Sequence, residues 1–149
     1  MVTFKAVHPV EVQDEIIICR KDLQSDFDEA DYVIPQQVNA ATREGKHKVK
    51  VISADTDVFV LLCWAYVEQD WAPCEVVMEP FLASDKFISI ADTVKEHRAI
   101  IPSLISLHSI SGCDTVPMMY GVGKIKALAV GKKMPLEVIG DADADTKMY

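Results

Sequence analysis

Lys48-Val49-Lys50-Val51-Ile52-Ser53-Ala54-Asp55-Thr56-Asp57, running on into the apolar stretch Val58–Val67, is the segment whose reading decides the fold. Lys48–Ser53 alternates basic and apolar residues into Val49, Val51 and Ile52, the two-residue period of a strand. Asp55-Thr56-Asp57 follows directly, and carboxylates at that point can accept hydrogen bonds from the free N–H groups of a starting helix. Val58–Val67 is then expected to be that helix. At about ten residues it is half the length of a membrane span. A strand feeding an acid-capped helix is the unit from which α/β sheets are assembled.

The same alternation extends in both directions. Upstream, Ile16–Cys19 reads as a short apolar strand and Glu29–Arg43 as a helix, preceded by the capping candidates Ser25, Asp26 and Asp28. Pro35 falls inside that helix and is expected to bend it, because proline has no N–H and crowds the carbonyl four residues back. Gly45 stops it. Downstream, Cys74–Met78 and Lys86–Ile90 are two more strand candidates, joined as a hairpin through a turn containing Pro80. Asp92–Ile101 and Ser103–Ile110 read as helices separated by Pro102, and the tail after Gly140 reads as loose. Strands alternating with helices predict an α/β fold with a mainly parallel sheet flanked by helices, in a single domain over residues 1–149.

Composition narrows the classes of function. Half of the 149 residues are hydrophobic and 26% are charged, a mix that buries a core and excludes general disorder. The formal charge of −8 argues against bulk attraction to nucleic acid, except where acids gather around cations that reverse the local sign. The basic residues are grouped: Arg43, Lys46, His47, Lys48 and Lys50 in one cluster, Lys124, Lys126, Lys132 and Lys133 in another. For either cluster alone a solvated face is the ordinary reading. Cys19, Cys63, Cys74 and Cys113 are widely spaced and His8, His47, His97 and His108 show no ligand pattern, so zinc and a disulfide framework are not expected. Lys5, His8, Glu11 and Asp14 interrupt any signal-peptide core, and an intracellular location with no membrane partner is expected.

Three acidic groups carry the chemistry. They are Glu29-Ala30-Asp31 at a helix start, Asp55-Thr56-Asp57 after a strand, and Asp114 within Ser111-Gly112-Cys113-Asp114-Thr115. In open α/β sheets ligands bind beyond the carboxyl ends of the strands. Carboxylates gathered there repel one another unless hard cations lie between them, which points to Mg²⁺ or Mn²⁺. Two such ions about 4 Å apart activate water and stabilise the leaving oxygen of a phosphodiester. For any one acidic group, helix capping is the commoner role. Tyr120-Gly121-Val122-Gly123-Lys124-Ile125-Lys126-Ala127-Leu128 adds a different signal, the form of a helix-hairpin-helix turn over about residues 117–131. Its glycines let backbone N–H groups approach a phosphate, and its lysines add charge.

Taken in order, Glu29-Ala30-Asp31, Ser53-Ala54-Asp55-Thr56-Asp57, Ser111-Gly112-Cys113-Asp114 and the Gly121–Lys124 hairpin resemble the PIN-like 5′-nuclease superfamily of flap endonucleases and polymerase-associated 5′-nucleases. The resemblance runs from about Asp28 to Val130. It implies a divalent-metal-dependent, structure-specific nuclease with Glu29, Asp31, Asp55, Asp57 and Asp114 as catalytic metal ligands and Mg²⁺ or Mn²⁺ as cofactor. It further implies that Gly121, Gly123, Lys124 and Lys126 bind nucleic acid, DNA ahead of RNA, in the nucleus ahead of the cytoplasm. Members of the superfamily open with an aspartate-bearing strand and a helical region bearing a second aspartate, and nothing before Asp28 resembles either. The domain is therefore expected to be N-terminally incomplete, to self-associate through its incomplete sheet, and to be inactive or nearly so. The alternative is a non-catalytic remnant of the fold that binds nucleic acid or protein.

Overall fold

The computed structural model describes residues 2–3, 9–24, 30–80, 86–112, 117 and 120–133. The chain enters through a three-stranded antiparallel sheet of β1 (Val2–Thr3), β2 (Val10–Gln13) and β3 (Ile16–Cys19). The strand expected at Ile16–Cys19 is β3. Its partner β2 is a four-residue run alternating apolar and polar residues, paired with β3 from Val10↔Cys19 to Gln13↔Ile16. Asp14 and Glu15 form the two-residue connection, with φ of 48° and 68°. Positive φ at both central residues is the geometry whose twist matches that of the flanking strands. Arg20 fastens this sheet to the body by pairing with Glu11, Asp22 and Glu44. Its side chain is only 15% exposed, and its ionised partners hold the guanidinium firmly in the charged form.

Helix α1 (Ala30–Arg43) continues through Pro35. The proline is the sixth residue of the helix, so the N–H it lacks is one that would have bonded to the Asp31 carbonyl. Gly45, at φ 78°, closes the helix, and the Lys46 N–H returns to the Ala41 carbonyl at 3.1 Å. Strand β4 (Lys48–Ile52) and helix α2 (Thr56–Glu68) follow as expected. Next come β5 (Glu75–Glu79), β6 (Ile88–Ser89), α3 (Ile90–Glu96), α4 (Leu104–Ser111) and α5 (Lys124–Gly131). Helix α3 starts two residues before the expected Asp92, because Ser89 caps it by accepting a bond from the Asp92 N–H at 3.1 Å. A short 3-10 turn, Ile101–Ser103, holds Pro102.

The second sheet has the order β4-β5-β6, with β4 parallel to β5 and β5 antiparallel to β6. The chain is thus mixed α/β, with five α-helices and a small mixed sheet among the described residues. This corrects the expectation of a mainly parallel sheet. The hairpin expected between these two strands is present: the connection from Glu79 to Ile88 is too short for a crossover, which takes a dozen or more residues, so β6 returns antiparallel.

Helix α2 organises the core. Val58, Leu62 and Cys63 are at most 1% exposed and share one cluster with Val51, Val76 and Met78 of the sheet, Ile90 and Val94 of α3, and Val38 of α1. Trp71, just after α2, is 2% exposed and donates its indole N–H to Asn39 Oδ1 of α1 at 3.2 Å. That bond satisfies a polar group which burial would otherwise penalise. Replacing Asn39 with alanine should lower stability by roughly 1–3 kcal/mol, the cost of leaving a buried donor unpaired. In chemical denaturation, Asn39→Ala combined with Trp71→Phe should lose less than the sum of the two single changes. Strict additivity would show that the bond contributes nothing.

Candidate functional site

Beyond the carboxyl end of β4 the chain turns through Ser53 and Ala54 into α2, and this turn sets the positions of Asp55 and Asp57. Ser53 Oγ accepts from the Asp55 N–H at 3.1 Å, and Asp55 Oδ1 accepts from the Asp57 N–H at 2.8 Å. Asp55 is therefore the N-cap of α2, the plainer of its two readings. Asp57 lies in the first helical turn, where a negative charge also favours the helix dipole. Its carboxylate Oδ1 meets His108 Nε2 of α4 at 2.8 Å, with the two side chains 20% and 12% exposed. This contact joins α2 to α4 across largely buried side chains. Asp31 stands half-buried in the first turn of α1. Glu29 and Asp114 lie outside the described residues, as do Cys113 and Thr115.

Among the described residues no group of three or more His, Cys, Asp or Glu side chains is arranged to hold a metal ion. The oxygen chemistry of Asp31, Asp55 and Asp57 suits Mg²⁺ or Mn²⁺, but these three alone do not make a cage. A cation at Asp57 would also have to compete with His108.

At the Gly121 turn, φ is 76° at Gly121, and Gly123 caps α5 without a side-chain hydrogen bond. Among the described residues a Cβ at either glycine would meet nothing within 4 Å, which leaves the turn open to an approaching group on that side. Lys126 Nζ donates to the Gly121 carbonyl at 3.1 Å and braces the turn, while Lys124 is exposed at the start of α5. A helix leading directly into this turn is not among the described elements, so the helix-hairpin-helix reading of residues 117–131 is not shown. In the other basic cluster, Lys48 pairs with Glu75 at 2.9 Å and Lys50 with Glu79 at 2.8 Å. Lys50 also lies 4.7 Å from the centre of the Phe87 ring. These two lysines mainly balance the charge of β5.

The sequence reading missed two features. One is His108, whose position in the apolar segment Leu104-Ile105-Ser106-Leu107-His108 was the available signal, since a lone imidazole there needs a partner. The other is a cavity of about 330 Å³ between α2, α3, α4 and α5. Cys63 lines it, and burial pushes the thiol up to about 12. Desolvation disfavours the thiolate, which makes Cys63 an inert wall rather than a nucleophile.

No protein-family profile matches the chain, and no curated protein and no solved structure shows significant similarity to it.

Two outcomes are expected from this geometry. In a double-mutant cycle, Asp57→Ala and His108→Ala should show a coupling of roughly 0.5–3 kcal/mol; no coupling would mean that the contact is incidental. Peptide mapping after brief alkylation of native protein at pH 8 should find Cys19, which is exposed, modified well before Cys63 and Cys74, which are buried. Equal rates at Cys19 and Cys63 would contradict the enclosed thiol.

Proposed function

We propose that this chain is a PIN-like, 5′-nuclease-type domain that binds nucleic-acid phosphates at the Gly121–Lys126 turn and has little or no cleavage activity of its own. The observation that carries this reading is the engagement of Asp57 by His108 at 2.8 Å, beside an Asp55 already occupied as a helix cap. Two-ion hydrolysis needs carboxylates preorganised around both cations, because the ions must already be aimed at the scissile phosphate. A carboxylate held by an imidazole must exchange that partner for the metal, which weakens ion binding. The turn supports the binding half: an uncapped helix start, an open approach and exposed lysines suit a phosphate.

An active Mg²⁺- or Mn²⁺-dependent nuclease is the second reading. It is favoured by the position of Asp55 and Asp57 at the carboxyl end of a parallel strand pair, the usual place for ligands in such sheets. Glu29, Asp31 and Asp114 would be the remaining ligands.

Labelled duplex, flap and single-stranded DNA and RNA, with and without Mn²⁺, separate the two. Duplex binding is expected at low salt, with Lys124→Ala/Lys126→Ala weakening it for all sequences and reducing the log–log salt slope by about 2. Cleavage should stay at background. Mn²⁺ should raise the unfolding temperature of His108→Gln more than that of the wild type, because the competitor for Asp57 has been removed. Cleavage lost in Asp57→Ala would establish the second reading, and absence of duplex binding at low salt would overturn both.

A further inference from the structure

Helix α5 presents a single stripe to the rest of the fold. Lys124, Ala127, Leu128, Gly131 and Lys132 recur at steps of three and four residues, the spacing of one helix face. At Gly131 the approach to α4 is so close that a Cβ would overlap the Leu107 side chain. Further back along the stripe the helices part and enclose the cavity of about 330 Å³. Its walls include Phe59 and Cys63 of α2 and Leu104 and Leu107 of α4, with Ala127 and Leu128 of α5 opposite.

The polar groups at this hollow are not random. Lys124 and Lys132 line it, together with His97 and His108, and no carboxylate lines it among the described residues. That is the reverse of the whole chain, in which 23 acids outnumber 15 lysines and arginines. His108 is already matched by Asp57. Lys124 and Lys132 have no ion-pair partner among the described residues. An apolar interior with unmatched cations at its border fits an amphipathic anion: the body replaces water against the aliphatic walls, and the charge meets an ammonium group at the rim. A 150 Å³ core cavity holds one benzene ring, so this hollow has room for about two fused rings or an aliphatic body of that size.

We propose that the α2–α5 cavity is a binding site for a small hydrophobic carboxylic acid. The apolar body lies between Phe59, Leu104, Leu107 and Leu128, and the carboxylate pairs with Lys124 or Lys132. The site adjoins the acidic cluster through His108 and shares Lys124 with the Gly121 turn, and it does not require the chain to act on nucleic acid.

Isosteric probes test it on the full chain: 2-naphthoate, the neutral 2-naphthalenemethanol and the cationic 2-naphthylmethylammonium, titrated by calorimetry. Saturable one-site binding of naphthoate is expected with a Kd of about 0.01–1 mM. The alcohol should bind roughly 3–10-fold more weakly and the ammonium more weakly still, as expected for a charge pair at a partly exposed rim. Lys124→Gln/Lys132→Gln should reduce naphthoate to the level of the alcohol, and the single variants assign which lysine holds the carboxylate. Lys133→Gln, which removes the same charge one residue outside the lining, should change nothing. No saturable binding of naphthoate up to about 1 mM would overturn the proposal. So would equal affinity for all three probes, or a loss in Lys133→Gln as large as that in the lysine pair. Duplex binding by the same protein is read separately, so failure of either function leaves the other result interpretable.

Discussion

A helix with no polar face has to be covered on every side, and α2 is such a helix. Thr56-Asp57-Val58-Phe59-Val60-Leu61-Leu62-Cys63-Trp64-Ala65-Tyr66-Val67 offers water almost nothing favourable beyond its first turn. The sheet buries it through Val51, Val76 and Met78, while α1, α3 and α4 pack around it. Burying side chains of this size stabilises by roughly 1.5–3 kcal/mol each, so together they outweigh any single polar contact. Everything of chemical interest depends on this arrangement. The first turn of α2 carries Asp57 to His108, and its flank forms one wall of the cavity.

Charge is distributed unevenly over this frame. On the exposed face of the second sheet, the parallel register sets Lys48 opposite Glu75, and Lys50 reaches Glu79, so basic and acidic residues cancel locally. Such exposed pairs contribute little stability, but they leave that face with little net field to attract a polyanion. At α5 the lysines have no carboxylate partner among the described residues, and the same residue type can act on a ligand. Two basic clusters that look alike in the sequence therefore differ in what they are free to do.

The N-terminal sheet is held more lightly. Ile16, Ile17 and Ile18 are 62%, 71% and 42% exposed, an apolar run with little packed against it, and Arg20 makes the polar anchor to the end of α1. Strand β4 is an edge of its own sheet among the described residues, with lysines at two of its five positions. Charged side chains on an edge discourage pairing with a further strand. Self-association through β4, the expectation drawn from an incomplete sheet, has that charge to overcome.

Local pattern determined the elements. The alternation in Lys48–Ile52, the apolar run behind Asp55, the glycine at position 45 and the Gly121 turn each act within a few residues, and each appears where its residues require it. The capping role of Asp55 was equally legible, because its acceptor and donor are two residues apart. Strand direction was legible only pair by pair: the short connection made β5 and β6 the hairpin that was expected, while the sheet as a whole is mixed and not mainly parallel. Strand β2 was not read from Val10–Gln13, a run of four residues that pairs along its whole length with β3. Only tertiary structure brought His108 to Asp57, 51 positions apart, and enclosed an apolar hollow between four helices. Side-chain chemistry is written residue by residue, but the pairing of distant groups is set by which surfaces must be hidden from water, and for this chain α2 makes that decision.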